Sequence, residues 1–442
     1  MSGKVSGTEP RGNSGGSPSC AAHIYGRCDG SPEEDRSLPL KYVTKFEYGD
    51  ALAQDVRGEG TTPVFGSNGV VGSHDVANTL APSIIIGRKG SFGKVTWADM
   101  PAFCIDTAYY IDKRHTKANL RWLYWMLQTL GLDMFSEDTG VPGLSREKAY
   151  RVHVPYSPLP EQTRIANFLD EQTARIDALI AEKERLDALL GEYRGSLISA
   201  AVMGQLGLLV EGSPQKNAVE PVHVVSTDGP KEVPLKRLIN AIASGVSVNA
   251  VDRPAEKGEI GVLKTSCVYS GTFDCRENKA VVSEELHRVA CPVKANTIIV
   301  SRMNTPDLVG AAGLCEDDEP NLYLPDRLWQ VTLDNRKASP AFVYWWTCSR
   351  LYRDQVKVAC EGTSSSMQNL DQASFADFSI PVHALTVQNR IANFLDEKTA
   401  RIDDLRSHCR EHIARLREYR SSLISAAVTG QLDIDNFGRG AA

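Results

Sequence analysis

Residues 164–206 read RIANFLDEQTARIDALIAEKERLDALLGEYRGSLISAAVMGQL, and residues 390–432 read RIANFLDEKTARIDDLRSHCREHIARLREYRSSLISAAVTGQL. The two stretches align without a gap at an offset of 226 residues, and 29 of their 43 positions are identical. Repeats in solenoid proteins have periods of about 20–50 residues. The larger offset therefore indicates that a whole unit of the chain has been duplicated.

Each copy is predicted to form one long helix, because neither contains proline and apolar residues recur in steps of three and four. Gly204 and Gly430 stand where each helix is expected to stop. Two such helices in one chain most simply pack against each other as a coiled coil. The predicted seam is Ile176, Leu179, Lys183, Leu186, Leu190, Tyr193, Leu197 and Ala200, with Ile402, Leu405, Cys409, His412, Leu416, Tyr419, Leu423 and Ala426 in the second copy.

A globular segment of similar size precedes each helix. Both segments open on Pro-Leu-Lys and contain a late aromatic stretch, at 123–127 and 342–346, but their interiors share little else. Such divergence suits a common frame that carries two different recognition modules. The predicted organisation is a disordered tail (1–36), a first module (37–158), a helix (159–206), a linker (207–232), a second module (233–384), a second helix (385–432) and a C-terminal tail (433–442).

The composition excludes several classes of protein. With 49 Lys and Arg against 55 Asp and Glu, the net charge is −6, which excludes a uniformly basic nucleic-acid coat but permits local DNA-binding faces. The ten cysteines include no C-x-x-C pair, as expected of reduced thiols. No apolar run approaches the roughly 20 residues of a membrane helix, and the N-terminus lacks the layout of a signal peptide. We expect a cytoplasmic protein without a membrane association.

Catalytic motifs are expected to be absent. The stretch 87–95, GRKGSFGKV, has one residue too many for a phosphate-binding loop and Val95 where Mg²⁺ would need Ser or Thr. Glu277-Asn-Lys279 lacks a suitably spaced acidic partner for a nuclease. The chain is therefore predicted to be non-catalytic and to have no metal site, although an enzyme with an unfamiliar motif stays open as an alternative.

The sequence resembles the specificity subunits of type I restriction-modification enzymes. The resemblance lies in 159–162 (LPEQ) leading into 164–171 (RIANFLDE), in 197–202 and 204–206, and in their second occurrence, which ends at 426–432. The stretches 65–72 and 84–95 are similar to the target-recognition domains of that family.

The resemblance implies an α+β fold in which two globular α/β target-recognition domains are separated by two long antiparallel coiled-coil helices with pseudo-twofold symmetry. Each domain would recognise one half of a bipartite, asymmetric site in double-stranded DNA. Two adenine-methyltransferase subunits and two restriction/translocase subunits would complete the assembly, and the chain itself would bind no cofactor.

Polar and basic residues beside glycine turns are the candidates for DNA contact, since Arg pairs with guanine and Asn or Gln with adenine. The alternative for each residue is an ordinary solvated loop position. The candidates are Ser67, Asn68, Arg88, Lys89, Ser91 and Lys94 in the first module, and Lys264, Arg302, Asn304, Arg327, Ser365 and Gln368 in the second.

Residues that both helix copies share are the candidates for binding partner subunits. The alternative is a solvated helix face with pairs at i and i+4. The candidates are Asn167, Asp170, Glu171 and Arg175, with Asn393, Asp396, Glu397 and Arg401 in the second copy. At the level of the whole chain, a stand-alone DNA-binding protein and a scaffold that recognises no DNA stay open as alternatives.

Overall fold

The computed structural model describes residues 37–58, 60–136, 142–206, 230–360 and 367–438. The predicted tail (1–36) and most of the predicted linker lie outside the described residues. The described chain folds as two compact units, one built from residues of 37–173 and 420–438 and the other from residues of 174–419. The predicted domain boundaries stay a prediction, because these units do not follow them.

The first module is a mixed α/β segment whose central strand is an isoleucine run. Its strands are β1 (Ser37–Pro39), β2 (Glu47–Tyr48), β3 (Thr62–Gly66), β4 (Gly69–His74), β5 (Ser83–Gly87), β6 (Val95–Ala98), β7 (Phe103–Cys104), β8 (Ala108–Ile111) and β9 (His153–Pro155). They form sheets of order β2-β8-β5-β6, β4-β3-β7 and β1-β9. Every residue of β5 is buried, as expected of a strand covered on both faces.

Short helices complete the first module. They are α1 (Leu40–Val43), α2 (Leu120–Gln128) and α3 (Arg146–Arg151), with 3₁₀ turns at Gln54–Val56 and Leu132–Met134. The side chain of Asn119 caps α2 by accepting from the backbone N–H groups of Arg121 and Trp122. Helix α2 buries one face of the predicted aromatic stretch, including Trp122 and Trp125.

A long helix, α4 (Leu159–Val202), separates the two modules in the sequence. The strands of the second module are β10 (Lys231–Pro234), β11 (Ile239–Ser244), β12 (Ala250–Val251), β13 (Gly261–Leu263), β14 (Asn278–Val281), β15 (Pro292–Val293), β16 (Thr297–Ser301), β17 (Met303–Asn304), β18 (Ala312–Cys315), β19 (Glu319–Tyr323), β20 (Leu328–Leu333), β21 (Gln368–Asn369) and β22 (Ser379–Val382). Its larger sheets have the orders β11-β20-β16-β18 and β12-β14-β13-β19-β15, and β10-β22 and β17-β21 form two-stranded pairs.

The helices of the second module pack on these sheets. They are α5 (Pro340–Thr347), α6 (Arg350–Ala359) and α7 (Gln372–Asp377), with 3₁₀ turns at Leu235–Arg237, Thr265–Val268 and Ser283–Arg288. A second long helix, α8 (Leu385–Val428), follows. One hydrophobic core joins α5, α6 and β16 to residues 197–202 of α4 and to the start of α8.

The two modules share a frame that their sequences conceal. In the first module Ser83 of β5 pairs with Ala98 of β6, and in the second Thr297 of β16 pairs with Cys315 of β18 in the same antiparallel register. Helices α2 and α5 follow with the same order of aromatic residues, Tyr-Trp at 124–125 and at 344–345. The two modules therefore share this part of their fold, although their interior sequences share little.

Both long helices contain 44 residues, a length of about 66 Å at 1.5 Å per residue. Each ends four residues before its predicted end. Gly204 and Gly430 follow with φ of 66° and 73°, the left-handed conformation that glycine adopts most readily. After these glycines, the backbone N–H groups of Gln205 and Gln431 donate hydrogen bonds to the carbonyl oxygens of Ala200 and Ala426, each at 2.9 Å. The mixed α/β fold with long helices is confirmed.

Within the second unit, the described parts of α4 and α8 run antiparallel. Ion pairs join Arg194 to Asp403 at 3.0 Å and Arg417 to Glu184 at 2.7 Å. Between them, Asp187 accepts from Arg406 at 2.8 Å and from Arg410 at 3.2 Å. Residue numbers thus rise along one helix as they fall along the other.

Six of the sixteen positions of the predicted seam are exposed, so the prediction was wrong there. Leu179, Leu186 and Tyr193 are 46%, 40% and 56% exposed, and Leu405 and Tyr419 are also exposed. At these positions the residue that faces the other helix is the next one along the chain, for example Asp187 in place of Leu186. The observed seam of the second unit includes Ile176, Ile180, Asp187 and Arg194 on α4, and Ile402, Arg406, Cys409 and Ile413 on α8. Charged side chains that pair across the helices occupy positions that the apolar pattern assigned to leucine and tyrosine.

No helix in the described part of the chain is long and apolar enough to cross a membrane.

Candidate nucleic-acid and partner interfaces

The candidate DNA-binding residues of the first module come together on two adjoining loops. Ser67 and Asn68 form the turn between β3 and β4, and 88–94 connect β5 to β6. The two loops come together at Gly87. A Cβ added there would lie 2.3 Å from the backbone carbonyl oxygen of Ser91 and 2.7 Å from that of Ser67, so the contact leaves no room for a side chain. The ammonium of Lys94 closes the contact by donating to the carbonyl and side-chain oxygens of Asn68, at 2.8 and 3.0 Å.

Arg88 extends this cluster onto an aromatic surface that sequence reasoning missed. Its guanidinium lies 4.9 Å from the ring centre of Tyr48 and donates to the Asp106 carbonyl at 2.9 Å. Arg146 stacks on the same Tyr48 ring at 4.8 Å. Burial, followed by a side-chain hydrogen bond with Tyr48, raises the pKa of Tyr109 beneath this cluster to about 12, so Tyr109 is neutral at physiological pH. Tyr48 and Arg146 lie outside the glycine-rich stretches 65–72 and 84–95, and only the tertiary fold brings them to Arg88.

Lys89 stays with this cluster through the backbone. It forms an isolated bridge with Gly143, and the neighbouring Arg88 carbonyl accepts from Leu144 at 2.8 Å. The first-module candidates therefore form one surface made of loops.

Several second-module candidates meet where β17 pairs with β21. Asn304 lies opposite Gln368, and the Arg302 guanidinium donates to the Asp326 carbonyl at 2.6 Å and to Asn369 at 3.4 Å. The backbone N–H of Arg302 bonds to the carbonyl of Arg327, which brings that residue to the same place.

Two of the second-module candidates are engaged within the protein. The Asn304 side chain is 8% exposed and donates to the Tyr269 hydroxyl at 2.8 Å, so its amide nitrogen has a partner without DNA. Lys264 lies 3.8 Å from Asp252. Ser365 lies outside the described residues. DNA contact by any of these residues stays a prediction.

Two of the partner-binding candidates hold the modules to the long helices. Asp170 accepts from the indole N–H of Trp125 at 2.8 Å, and Asp396 accepts from that of Trp345 at 2.9 Å. Arg121 adds an ion pair to Asp170 at 2.7 Å. Both carboxylates therefore have partners in their own module.

The remaining partner-binding candidates lie on exposed helix surface. Glu397 pairs with Arg401 at 2.8 Å, four residues further along, which is the arrangement of the alternative interpretation. The exposed candidates are Asn167, Glu171, Arg175, Asn393, Glu397 and Arg401.

A glutamine near the start of each long helix repeats the attachment. The Gln162 side-chain oxygen accepts from the backbone N–H of Asn119 at 2.7 Å, and that of Gln388 accepts from Ser339 at 2.8 Å. We call the set Gln162, Asp170 and Trp125, with its counterpart Gln388, Asp396 and Trp345, the module–helix joint. The glutamines stand 226 residues apart, so the duplication contained the signal for them.

An arginine from a long helix covers each joint. The guanidinium of Arg420 lies 5.6 Å from the Trp125 ring in the first unit, and that of Arg194 lies 5.9 Å from the Trp345 ring in the second. The two arginines are also 226 residues apart. Each tryptophan is thus held at its N–H edge by an aspartate and approached by an arginine.

No cluster of His, Cys, Asp and Glu in the described ranges is arranged to hold a metal ion. Burial raises the pKa of the thiols of Cys104 and Cys267, so both are protonated at physiological pH.

Known proteins resemble this chain in sequence and in fold. Residues 38–187 match the family model of the type I restriction modification DNA specificity domain. A chain of a solved type I R-M system has the same fold, with a TM-score of 0.58 at 11% identity over 90% of this chain and 98% of the solved one.

Curated relatives extend the match. The chain is 21% identical over 356 residues to the type I restriction enzyme EcoBI specificity subunit of Escherichia coli, covering 79% of this chain and 73% of the relative. It is 23% identical over 283 residues to the EcoKI specificity subunit of Escherichia coli K12, covering 64% and 58%. These matches confirm the resemblance: the chain is similar to the specificity subunits of type I restriction-modification systems. The relatives are named as specificity subunits, in agreement with the prediction of a non-catalytic chain.

Proposed function

We propose that the chain directs a type I restriction-modification complex to a bipartite, asymmetric DNA site. Each module recognises one half of the site, and the long helices set the spacing and bind adenine-methyltransferase subunits. The observation that carries the proposal is the repeated module–helix joint beneath two different loop surfaces. A constant attachment with divergent loops is what two distinct recognition events on one frame require.

The chemistry of the two surfaces suits base recognition. Arginine donates two parallel hydrogen bonds to guanine, and asparagine or glutamine does so with adenine. The first module offers Asn68 and Arg88 on adjoining loops, and the second offers Arg302 and Gln368 at the β17–β21 pair. Because the net charge is −6, the complex needs other subunits for much of its attraction to DNA phosphates.

An exposed apolar stripe on α4 supports the binding of partner subunits. Leu179, Leu186, Leu189 and Tyr193 are between 40% and 59% exposed and recur in steps of three and four residues, so they share one helix face. An exposed apolar patch of this kind is typical of a protein–protein interface. We propose that two methyltransferase subunits, and through the complex two restriction/translocase subunits, assemble with the chain in the cytoplasm.

The deciding experiment is methylome sequencing of cells that express this chain with its methyltransferase partner. We expect a bipartite motif containing methylated adenine that disappears when the chain is omitted. The matched variants are Asn68→Ala and Gln368→Ala, which should relax opposite halves of the motif. An active, bound methyltransferase that yields no motif would overturn the recognition role.

A further inference from the structure

The shared frame of the two modules creates a pair of equivalent pockets. In the first module Trp97 and Asp99, at the end of β6, face Arg121 of α2 and Asp170 of α4 across an open cavity. In the second, Leu314 and Glu316, at the end of β18, take the corresponding places beside Ala341 of α5 and Asp396 of α8. The strand registers establish the correspondence, because Trp97 pairs with Ile84 as Leu314 pairs with Ile298.

The first-module pocket contains a guanidinium from its own chain. Arg121 lies 4.6 Å from the Trp97 ring, 4.8 Å from Tyr124 and 5.1 Å from Trp125. Its Nε is 2.7 Å from Asp170, and the two side chains are 30% and 40% exposed. The cation is therefore neutralised by one carboxylate and surrounded by aromatic faces, an arrangement that stabilises arginine in particular.

The second-module pocket is built from the corresponding positions, but Leu314 stands in place of Trp97 and no arginine is among its lining residues. Ala341 takes the place of Arg121 in a cavity of about 340 Å³, which Phe273 and Tyr344 line on the apolar side. Four acidic residues line the rest, Glu316, Asp317, Glu319 and Asp396, with no Lys or Arg among the lining residues. Among the described residues, none of these four carboxylates forms an ion pair. Asp396 is correspondingly exposed, whereas Asp170 is half-buried.

We propose that this second pocket binds an arginine side chain supplied by the methyltransferase subunit, in the place that Arg121 fills within the first module. The inference rests on the proposed function for the identity of the partner. The equivalent aspartate already holds a guanidinium in the other half of the same chain, which is the observation that identifies the ligand class.

The surroundings favour arginine over the other occupants. Uncompensated carboxylates around one cavity attract a cation and repel the phosphates of DNA. A metal ion does not fit, because no group of carboxylates in the described residues is arranged to coordinate one. The Tyr344 and Phe273 rings suit a planar, weakly hydrated guanidinium better than the compact ammonium of lysine.

The first test uses the full-length chain alone with N-acetyl-L-arginine amide as the probe. The NMR methyl resonances of Ala341 and Leu314 should shift saturably as the probe is added. The probe should bind about ten-fold more tightly than its neutral citrulline analogue, because the analogue lacks roughly one charge-assisted hydrogen bond. Ala341→Arg, which copies the first module, should abolish the shift of the Leu314 methyl resonances. Equal binding of both analogues, or no saturable binding, would overturn the proposal.

The second test identifies the source of the arginine. The chain is co-expressed with the methyltransferase subunit, and the amount that co-purifies is compared for the wild type, Ala341→Arg and Asp396→Asn. Both variants should retain less partner, whereas Val358→Arg, which adds the same charge at an exposed position away from the pocket, should not. Unchanged co-purification of both pocket variants would overturn the proposal. Failure of the wild type to retain any methyltransferase would instead overturn the proposed function.

Discussion

Asp170 and Asp396 show how a single side chain fixes a module to its helix. Each accepts the N–H of a tryptophan that is at most 4% exposed. An indole N–H can only donate, so an acceptor in a fixed position lowers the cost of burying the ring. The sequence marked both aspartates as shared and exposed, but the tryptophans lie some 45–51 residues away along the chain. No local pattern connects residues that far apart.

Two substitutions of Asp396 distinguish the contribution of its hydrogen bond to stability from that of its charge. Asp396→Asn keeps an oxygen for Trp345 and should change the free energy of unfolding little. Asp396→Leu leaves the indole N–H unpaired and should lower it by about 1–3 kcal/mol. Urea denaturation of both variants provides the measurement. Equal destabilisation by the two substitutions would show that the hydrogen bond contributes nothing.

The first-module loops allow base contacts to be distinguished from phosphate contacts. If Asn68 recognises a base, Asn68→Ala should cost about 1–3 kcal/mol of DNA binding and relax one base position. Lys94, whose ammonium is held by Asn68, should behave differently. We expect Lys94→Ala to weaken binding on all sequences alike. Binding of the assembled complex to a panel of DNA sites with single-base changes tests both predictions. An equal loss of affinity on all sequences for Asn68→Ala would show that Asn68 contacts the DNA phosphates instead of a base.

At the scale of elements, the antiparallel helices combine apolar and ionic contacts along one seam. The three-and-four spacing predicted the helices and their approximate ends correctly. It selected the wrong neighbour at every second position because Leu186 is more apolar than Asp187. Asp187 nevertheless faces the other helix, where Arg406 and Arg410 neutralise it. Pairing between helices is a tertiary property, so the charge of one helix alone could not reveal it.

The ion pairs of Asp187 should make helix pairing depend on pH. Hydrogen bonding to Arg406, and then to Arg410, lowers the pKa of Asp187 below its ordinary value of 3.8. A lowered pKa in the folded state stabilises the protein above the ordinary value, and this contribution is lost as the pH falls through the folded value.

The free energy of unfolding of the wild type should therefore exceed that of Asp187→Asn by about 0.5–1 kcal/mol at pH 7. The difference should shrink towards zero as the pH falls below the folded pKa, and it should also decrease at high salt. Denaturation curves across this pH range supply the measurement. A difference that stays constant into acid would exclude the ion pair as its cause.

At the scale of the whole molecule, the same arrangement of strands, module helix and long helix occurs twice, with different loops and side chains on it. The repeat in the sequence predicted the duplication, the long helices and the specificity family. It could not predict the shared strand register of β5–β6 and β16–β18, because β6 (VTWA) and β18 (AGLC) have no residue in common at equivalent positions. The surface residues were the least predictable part, since Tyr48 and Arg146 join Arg88 only through the tertiary fold.

Lengthening both helices should change the spacing of the recognised site. Duplicating residues 180–186 and 406–412 adds two turns to each helix, or about 10 Å, and preserves the seam. If the helices set the spacing, the methylated motif should keep its half-sites and gain about three base pairs between them, at 3.4 Å per base pair. Methylome sequencing measures the change. Lengthening only one helix is the control and should lower stability, and an unchanged spacer in the double insertion would contradict the proposed role.

The module–helix joint also bears on how such a protein acquires a new specificity. The hydrogen bonds of the joint involve only a few groups of the module: the backbone N–H before α2 or α5, which donates to Gln162 or Gln388, and one tryptophan of that helix. A foreign module that brought its own copy of these groups would find a ready attachment, whatever its loops contained. Recombination within the modules could therefore exchange one target for another in a single event, while the helices and the proteins that bind them remained unchanged.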